Sequence, residues 1–268
     1  LSSIDLLVIE DKDVSDIGIL VVKATIDGED YQLHLDTGAN QTIMLEDNFL
    51  GSYAKTTDTN DYLGAFSENQ LKSISVSVIR VGPIRKEDFE LTLIEDNTGA
   101  STNLLGIDFL LEHKCSFLID QSKILVDSPF EEEENLNFHK LHFNDSLPFI
   151  EGAINDIKVH ALWDTGANMN IVDHSLITTY PNMFQKIDIQ GLAEDSGGLN
   201  AEVSIYYMDT LEIGGHFFPK QMVAATDLSH FNDYLEQPID LIVGFNTIRK
   251  ANWIFDFPNK KWAILSNN

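Results

Sequence analysis

HLDTGANQTIM (residues 34–44) has a near-copy later in the same chain, LWDTGANMNIV (residues 162–172). In each, an aspartate follows apolar residues and is followed by Thr-Gly-Ala-Asn. The two carboxylates, Asp36 and Asp164, stand 128 positions apart. The likeness extends outward from them. Upstream, ATIDGEDYQLHLDTGAN (24–40) aligns without a gap on GAINDIKVHALWDTGAN (152–168). Both alternate apolar and polar residues, the period of a half-buried strand. Ile26, Tyr31, Leu33 and Leu35 answer Ile154, Val159, Ala161 and Trp163. Downstream, NLLGIDFLLEHKCSFLIDQSKILV resembles DLIVGFNTIRKANWIFDFPNKKWAIL. From Asp36 to Gly106 is 70 positions and from Asp164 to Gly244 is 80. Six of the extra ten fall near TDLSHFNDYLEQP, where Leu228, Phe231 and Leu235 have helical spacing, Asp227 can cap and Pro238 stops. The reading is an internal duplication.

The halves are expected at 1–128 and 146–268, joined by an acidic connector at 129–145 that contains Glu131 to Glu134. Most other segments are short β-rich runs separated by Gly or Asn-Asp turns, so the expected class is all-β. One helix is expected after each of Gly106 and Gly244, with short turns such as DHSLITTY (173–180). IDLLVIE (4–10) reads as a strand packed between the halves, with KILV (123–126) and WAIL (262–265).

Bulk composition excludes several classes. Of 268 residues, 43 are acidic and 17 basic, a net charge of −26. Nucleic acid is not an expected partner, because its binders cluster Lys and Arg against phosphates. No apolar run approaches the roughly 20 residues of a membrane span. Cys115 is the single cysteine, so no internal disulfide forms. The eight histidines lack metal-ligand spacing and DKDVSD (11–16) lacks the glycine of a calcium loop, so neither metal nor cofactor is expected. The chain begins at Leu1, which fits removal of a leader and a secreted or periplasmic location.

The duplicated carboxylate carries the chemistry. A two-fold repeat brings equivalent residues together at its pseudo-axis. Two carboxyls about 3 Å apart cannot both ionise, so they share one proton and supply acid and base at one pH. Such a pair activates water for attack on a peptide carbonyl. Gly38 and Gly166 let backbone N–H groups approach the carboxylates, and Thr37 and Thr165 offer hydroxyls that can bond across to the opposite half.

These motifs, with Leu104-Leu105-Gly106 and Ile242-Val243-Gly244 behind them, resemble the retropepsin-like aspartic proteases, including their bacterial relatives. That family uses one such lobe as a homodimer; here two lie in one chain, similar in plan to pepsin. The resemblance implies two β-barrel lobes with the active site at their interface, and an endopeptidase active as a monomer on peptide or protein substrates. It implies catalytic Asp36 and Asp164, supported by Thr37, Gly38, Ala39, Thr165, Gly166 and Ala167. It also implies β-hairpin flaps, placed at YLGAFSEN (62–69) and GLAEDSGGLN (191–200), with Tyr62, Gly64, Phe66, Asp195, Ser196 and Gly197 as cleft candidates. Pepsin-like enzymes usually carry Ser or Thr where this chain has Ala39 and Ala167. The alternative is an inactive peptide-binding module of the same fold.

Overall fold

The computed structural model describes residues 2–14, 16–56, 59–63, 68–94, 102–129, 135–194 and 200–265. The alternating segments that carry the aspartates form strands closed by two-residue turns. Asp27 and Gly28, both at positive φ, join strand Gly18–Ile26 to strand Glu29–Asp36. Asn155 and Asp156, also at positive φ, join Leu147–Ile154 to Ile157–Trp163. Positive φ at both central residues matches the right-handed twist of the flanking strands, and Asn, Asp and Gly tolerate it.

Each hairpin opens an extended sheet of the same local plan. In the first half, Glu29–Asp36 runs parallel to Leu104–Gly106, which is antiparallel to Ile43–Leu45, which is parallel to Ile84–Ile94. In the second, Ile157–Trp163 runs parallel to Leu241–Val243, antiparallel to Ile171–Asp173, which is parallel to Gln221–Thr226. The duplication is therefore one of topology as well as sequence. The first sheet has eight strands and curls back on itself where Gly18–Ile26 pairs with Glu68–Val81. The second has a path of nine strands, with a tenth, His142–Asn144, paired to Leu147–Ile154. The architecture is all-β, with two barrel-like sheets.

A third sheet binds the halves. Its six strands run Ser3–Asp5, Lys123–Val126, Lys114–Leu118, Asn252–Asp256, Lys261–Leu265 and His139–Lys140. Strands from opposite halves pair at its centre, Cys115 opposite Phe255 and Phe117 opposite Trp253. The expected strand over IDLLVIE is split at Leu6. Ser3–Asp5 joins this third sheet, whereas Leu7–Glu10 turns into the first half's sheet beside Gly18–Ile26. Within the span read as a connector, His139–Lys140 and His142–Asn144 are short strands; residues 130–134 lie outside the described residues.

One contiguous apolar core runs through both halves. At its middle, Trp163 meets Phe117 edge-on at 4.9 Å and lies 4.2 Å from Phe255. Aromatic pairs of this kind contribute about 0.5–1.5 kcal/mol beyond the area they bury. Cys115 sits in the same core, fully buried, and burial pushes its thiol well above the usual range, so it is an inert packing group.

The helical segments are short. A 3₁₀ turn, Ile107–Phe109, follows Gly106, and an α-turn, Phe245–Ile248, follows Gly244. Helix His174–Thr179 is capped by Asp173, which accepts from the Ser175 N–H. The insertion in the second half forms a single helical turn, Ser229–Asn232, with the Asp227 carboxylate accepting from the Ser229 N–H. Its Leu228 and Phe231, with Leu235 beside them, pack on Leu162 and Ile242.

Candidate active site

The two aspartate loops meet where the halves face each other. Asp36 ends its strand, and Asp164 follows directly on strand Ile157–Trp163, its N–H bonded to the Val243 carbonyl. The threonines lock the loops together reciprocally. The Thr37 N–H donates to Thr165 Oγ1 at 3.0 Å, and the Thr165 N–H donates to Thr37 Oγ1 at 3.0 Å. Each hydroxyl then donates onward, Thr37 Oγ1 to the Trp163 carbonyl at 2.9 Å and Thr165 Oγ1 to the Leu35 carbonyl at 2.7 Å. All four bonds cross between the halves in a dry setting, where unpaired polar groups are costly.

This lock brings the carboxyls together. The Gly38 N–H bonds Asp36 Oδ1 at 2.9 Å and Asp164 Oδ1 at 3.1 Å, so one donor touches both. The Gly166 N–H bonds Asp164 Oδ1 at 2.7 Å. Glycine is required at both positions by space: a Cβ on Gly38 would overlap the Asp164 carboxyl, and one on Gly166 the Asp36 carboxyl. Asp36 is 9% exposed and Asp164 is half-buried. Burial lifts the Asp36 carboxyl well above the usual carboxylate range, and the charge of neighbouring Asp164 lifts it further. Burial also raises Asp164, but the Gly166 N–H, the proton donated by Asp36, and the Gly38 and Ala167 N–H groups hold its charge. The pair therefore shares one proton between its two carboxyls.

Behind the loops, the glycine signatures permit close approach. A Cβ on Gly106 would overlap the Gln41 carbonyl, and one on Gly244 the Met169 carbonyl. The helical turns that follow bond the loops directly: Ile107 N–H to the Ala39 carbonyl and Phe245 N–H to the Ala167 carbonyl, both at 2.9 Å. Polar residues one step further on, which sequence reading passed over, complete the frame. Asp108 accepts from the Thr42 N–H at 2.9 Å and from Thr42 Oγ1 at 2.7 Å. In the second half, Asn246 accepts from the Asn170 N–H, and Asn170 Oδ1 accepts from the Gly244 N–H. The available signal was positional, a carboxylate or amide two residues after each glycine. Asn40 reaches out of the site, donating to Asp145 at 2.7 Å.

The structure thus gathers Asp36, Thr37, Gly38, Ala39, Asp164, Thr165, Gly166 and Ala167 into one cluster. Tyr62 lies on strand Thr59–Leu63, opposite Asn69, in a hairpin with Glu68–Val81. Strands Phe184–Glu194 and Asn200–Met208 make the matching hairpin of the second half. Gly64, Phe66, Asp195, Ser196 and Gly197 lie outside the described residues.

Both halves match known protein families. Residues 22–112 match the model of the gag-polyprotein putative aspartyl protease, and residues 150–247 match a model described as aspartyl protease. The chain carries two retropepsin-like aspartyl protease domains in tandem. Neither description assigns this retropepsin-like chain to a bacterial type. A search of curated proteins gave no match. Among solved structures, conglutin gamma, a basic 7S globulin from lupine seeds, is similar over 100% of this chain and 95% of its own, with a TM-score of 0.56 and 12% identity. That likeness is one of fold. Among the described residues of this retropepsin-like chain, no helix is long and apolar enough to cross a membrane.

Proposed function

We propose that the chain is an aspartic endopeptidase whose Asp36 and Asp164 form a single catalytic pair. The observation that carries this reading is the Gly38 N–H held between both carboxylates, which fixes them side by side with one proton between them. The ionised member of the pair takes a proton from a water lying over it as that water attacks a peptide carbonyl. The protonated member gives its proton to the developing oxyanion. The two then exchange roles as a proton passes to the leaving nitrogen and the C–N bond breaks. The Thr37–Thr165 bonds keep both groups placed throughout, because misplacement of about 1 Å is costly.

The substrate class is an extended peptide bound across the junction of the halves and covered by the two hairpins. Side-chain pockets would favour apolar residues beside the scissile bond. The domain organisation is one lobe to each side of the pair, so a monomer contains the whole site.

The test is cleavage of a peptide library by wild type and by Asp36→Asn and Asp164→Asn. Both variants are expected to fold and to lose at least a thousandfold in kcat/KM. Activity near wild type in either one refutes the pair. Tight binding of a hydroxyl-bearing transition-state mimic such as pepstatin, with no turnover of any peptide by the wild type, would instead establish a peptide-binding module.

A further inference from the structure

The two halves differ in polarity two residues before each catalytic aspartate. Two residues before Asp164 stands Leu162, buried among Phe149, Leu228, Phe231 and Ile242. Two residues before Asp36, the same place is taken by His34. Alternation along strand Glu29–Asp36 sends Leu33 and Leu35 into the main core and His34 to the other face, the face of Asp36. There His34 lies between Val21 on one neighbouring strand and Leu104 on the other, both buried. Its Nε2 is buried and has no hydrogen-bond partner. The ring also lies near the backbone of Thr165, the residue that locks the second aspartate loop.

A buried imidazole nitrogen without a partner is tolerated only while the ring is neutral. His34 as a whole is half-buried, and a second ring proton would set a charge against apolar neighbours with only the Thr165 backbone to meet it. The titratable groups on the elements around it are Asp36 on its own strand, Asp164 on the facing loop, Lys23 on strand Gly18–Ile26 and Glu10 on the strand beyond. Lys23 is solvent-exposed, and the two aspartates share one proton. The Thr165 carbonyl favours the charged ring, but burial outweighs it and brings His34 down to about 4.

We propose that His34 is a positioning residue that sets the acid limit of the enzyme: neutral, it fills the seam beside the Thr37–Thr165 lock; protonated, it is driven from the seam and loosens the second aspartate loop. This rests on the catalytic reading of Asp36 and Asp164 for its effect on activity, but its effect on folding is independent of that reading. The chemistry is a reversible proton gain from solvent, with no bond to carbon made or broken.

The experiment compares wild type, His34→Leu and His34→Gln. Leucine copies the residue of the other half, and glutamine keeps a polar group that does not titrate. Thermal unfolding and peptide kcat/KM are followed from pH 3 to 7, with the His34 ring signal tracked by NMR in wild type. The ring is expected to titrate near pH 4, and wild type to lose more thermal stability than either variant between pH 6.5 and 4. At least one variant is expected to retain activity at a pH where wild type has lost tenfold or more. A ring that titrates near 6.5, or stability and activity profiles of a folded variant that coincide with wild type, overturns the proposal. If wild type cleaves no peptide at any pH, the peptidase reading fails, and the NMR and unfolding curves still decide the role of His34.

Discussion

At Ala39 and Ala167 a methyl group stands where a hydroxyl would sit within reach of an ionised carboxylate. Backbone N–H donors from Gly38, Ala39, Gly166 and Ala167 are present, but the extra side-chain donor is absent. A donated bond favours the charged form, so its absence leaves the pair titrating higher. Ala39→Ser combined with Ala167→Ser is expected to move both limbs of the kcat/KM profile to lower pH, since both limbs report the same pair. A profile that stays put or moves up, in a folded protein, refutes this. The same burial costs stability. Below the unfolded aspartate value both states are protonated and nothing is lost. As pH rises toward the raised folded value, the unfolded chain releases its proton first and the native state is penalised. Asparagine never carries that charge, so Asp36→Asn is expected to melt higher than wild type at neutral pH and alike at pH 3, as differential scanning calorimetry would show. Thr37→Val removes one acceptor and one donor of the lock and is expected to cost about 1–3 kcal/mol of stability in denaturant titration; Thr37→Ser restores most of it.

At the scale of elements, the strand-loop units were legible because their pattern is local. Alternation, a two-residue Asx turn and a carboxylate with Thr-Gly-Ala after it are all read within 17 residues. The insertion turn was legible for the same reason, as Leu228 and Phe231 stand at helical spacing, although the N-cap is Leu228 and Asp227 bonds the Ser229 N–H from outside the turn. Phe231→Ala is accordingly expected to cost about 3 kcal/mol, because the cavity opens against Leu162 and Ile242 directly behind the second aspartate; a loss under about 1 kcal/mol by denaturant titration would show that the helix is an ornament. The break at Leu6 was not legible. Residues 4–10 read as one apolar run, with Leu6, Leu7, Val8 and Ile9 in a row, and only pairing with Lys123–Val126, over a hundred residues away, draws Ser3–Asp5 into one sheet while Leu7–Glu10 pairs with nearby Gly18–Ile26 in another. Asp108 was passed over for a related reason: one carboxylate after a glycine has no meaning until Thr42 is folded against it. His34 gives no local signal, since an unpartnered nitrogen is a property of three dimensions.

For the whole molecule, the third sheet decides what the duplication means. Its central pairing sets Lys114–Leu118 of the first half against Asn252–Asp256 of the second, and Trp163 from the second aspartate strand packs on aromatic residues from both. Two independent lobes joined by a tether would unfold separately, and two half-sites contributed by different chains would separate on dilution. Neither fits a core that is continuous across the junction or a lock of four crossing hydrogen bonds at the carboxyls. A net charge of −26 also opposes close pairing of two copies at neutral pH. The chain is therefore expected to unfold in one cooperative transition, with calorimetric and van't Hoff enthalpies equal. It is also expected to keep constant specific activity on dilution from micromolar to nanomolar, while sedimenting at 30.1 kDa. Specific activity that falls with dilution in step with loss of a dimer would place the two aspartates of a working pair on different chains. Two resolved transitions would show that the third sheet is a contact between lobes and not a shared core.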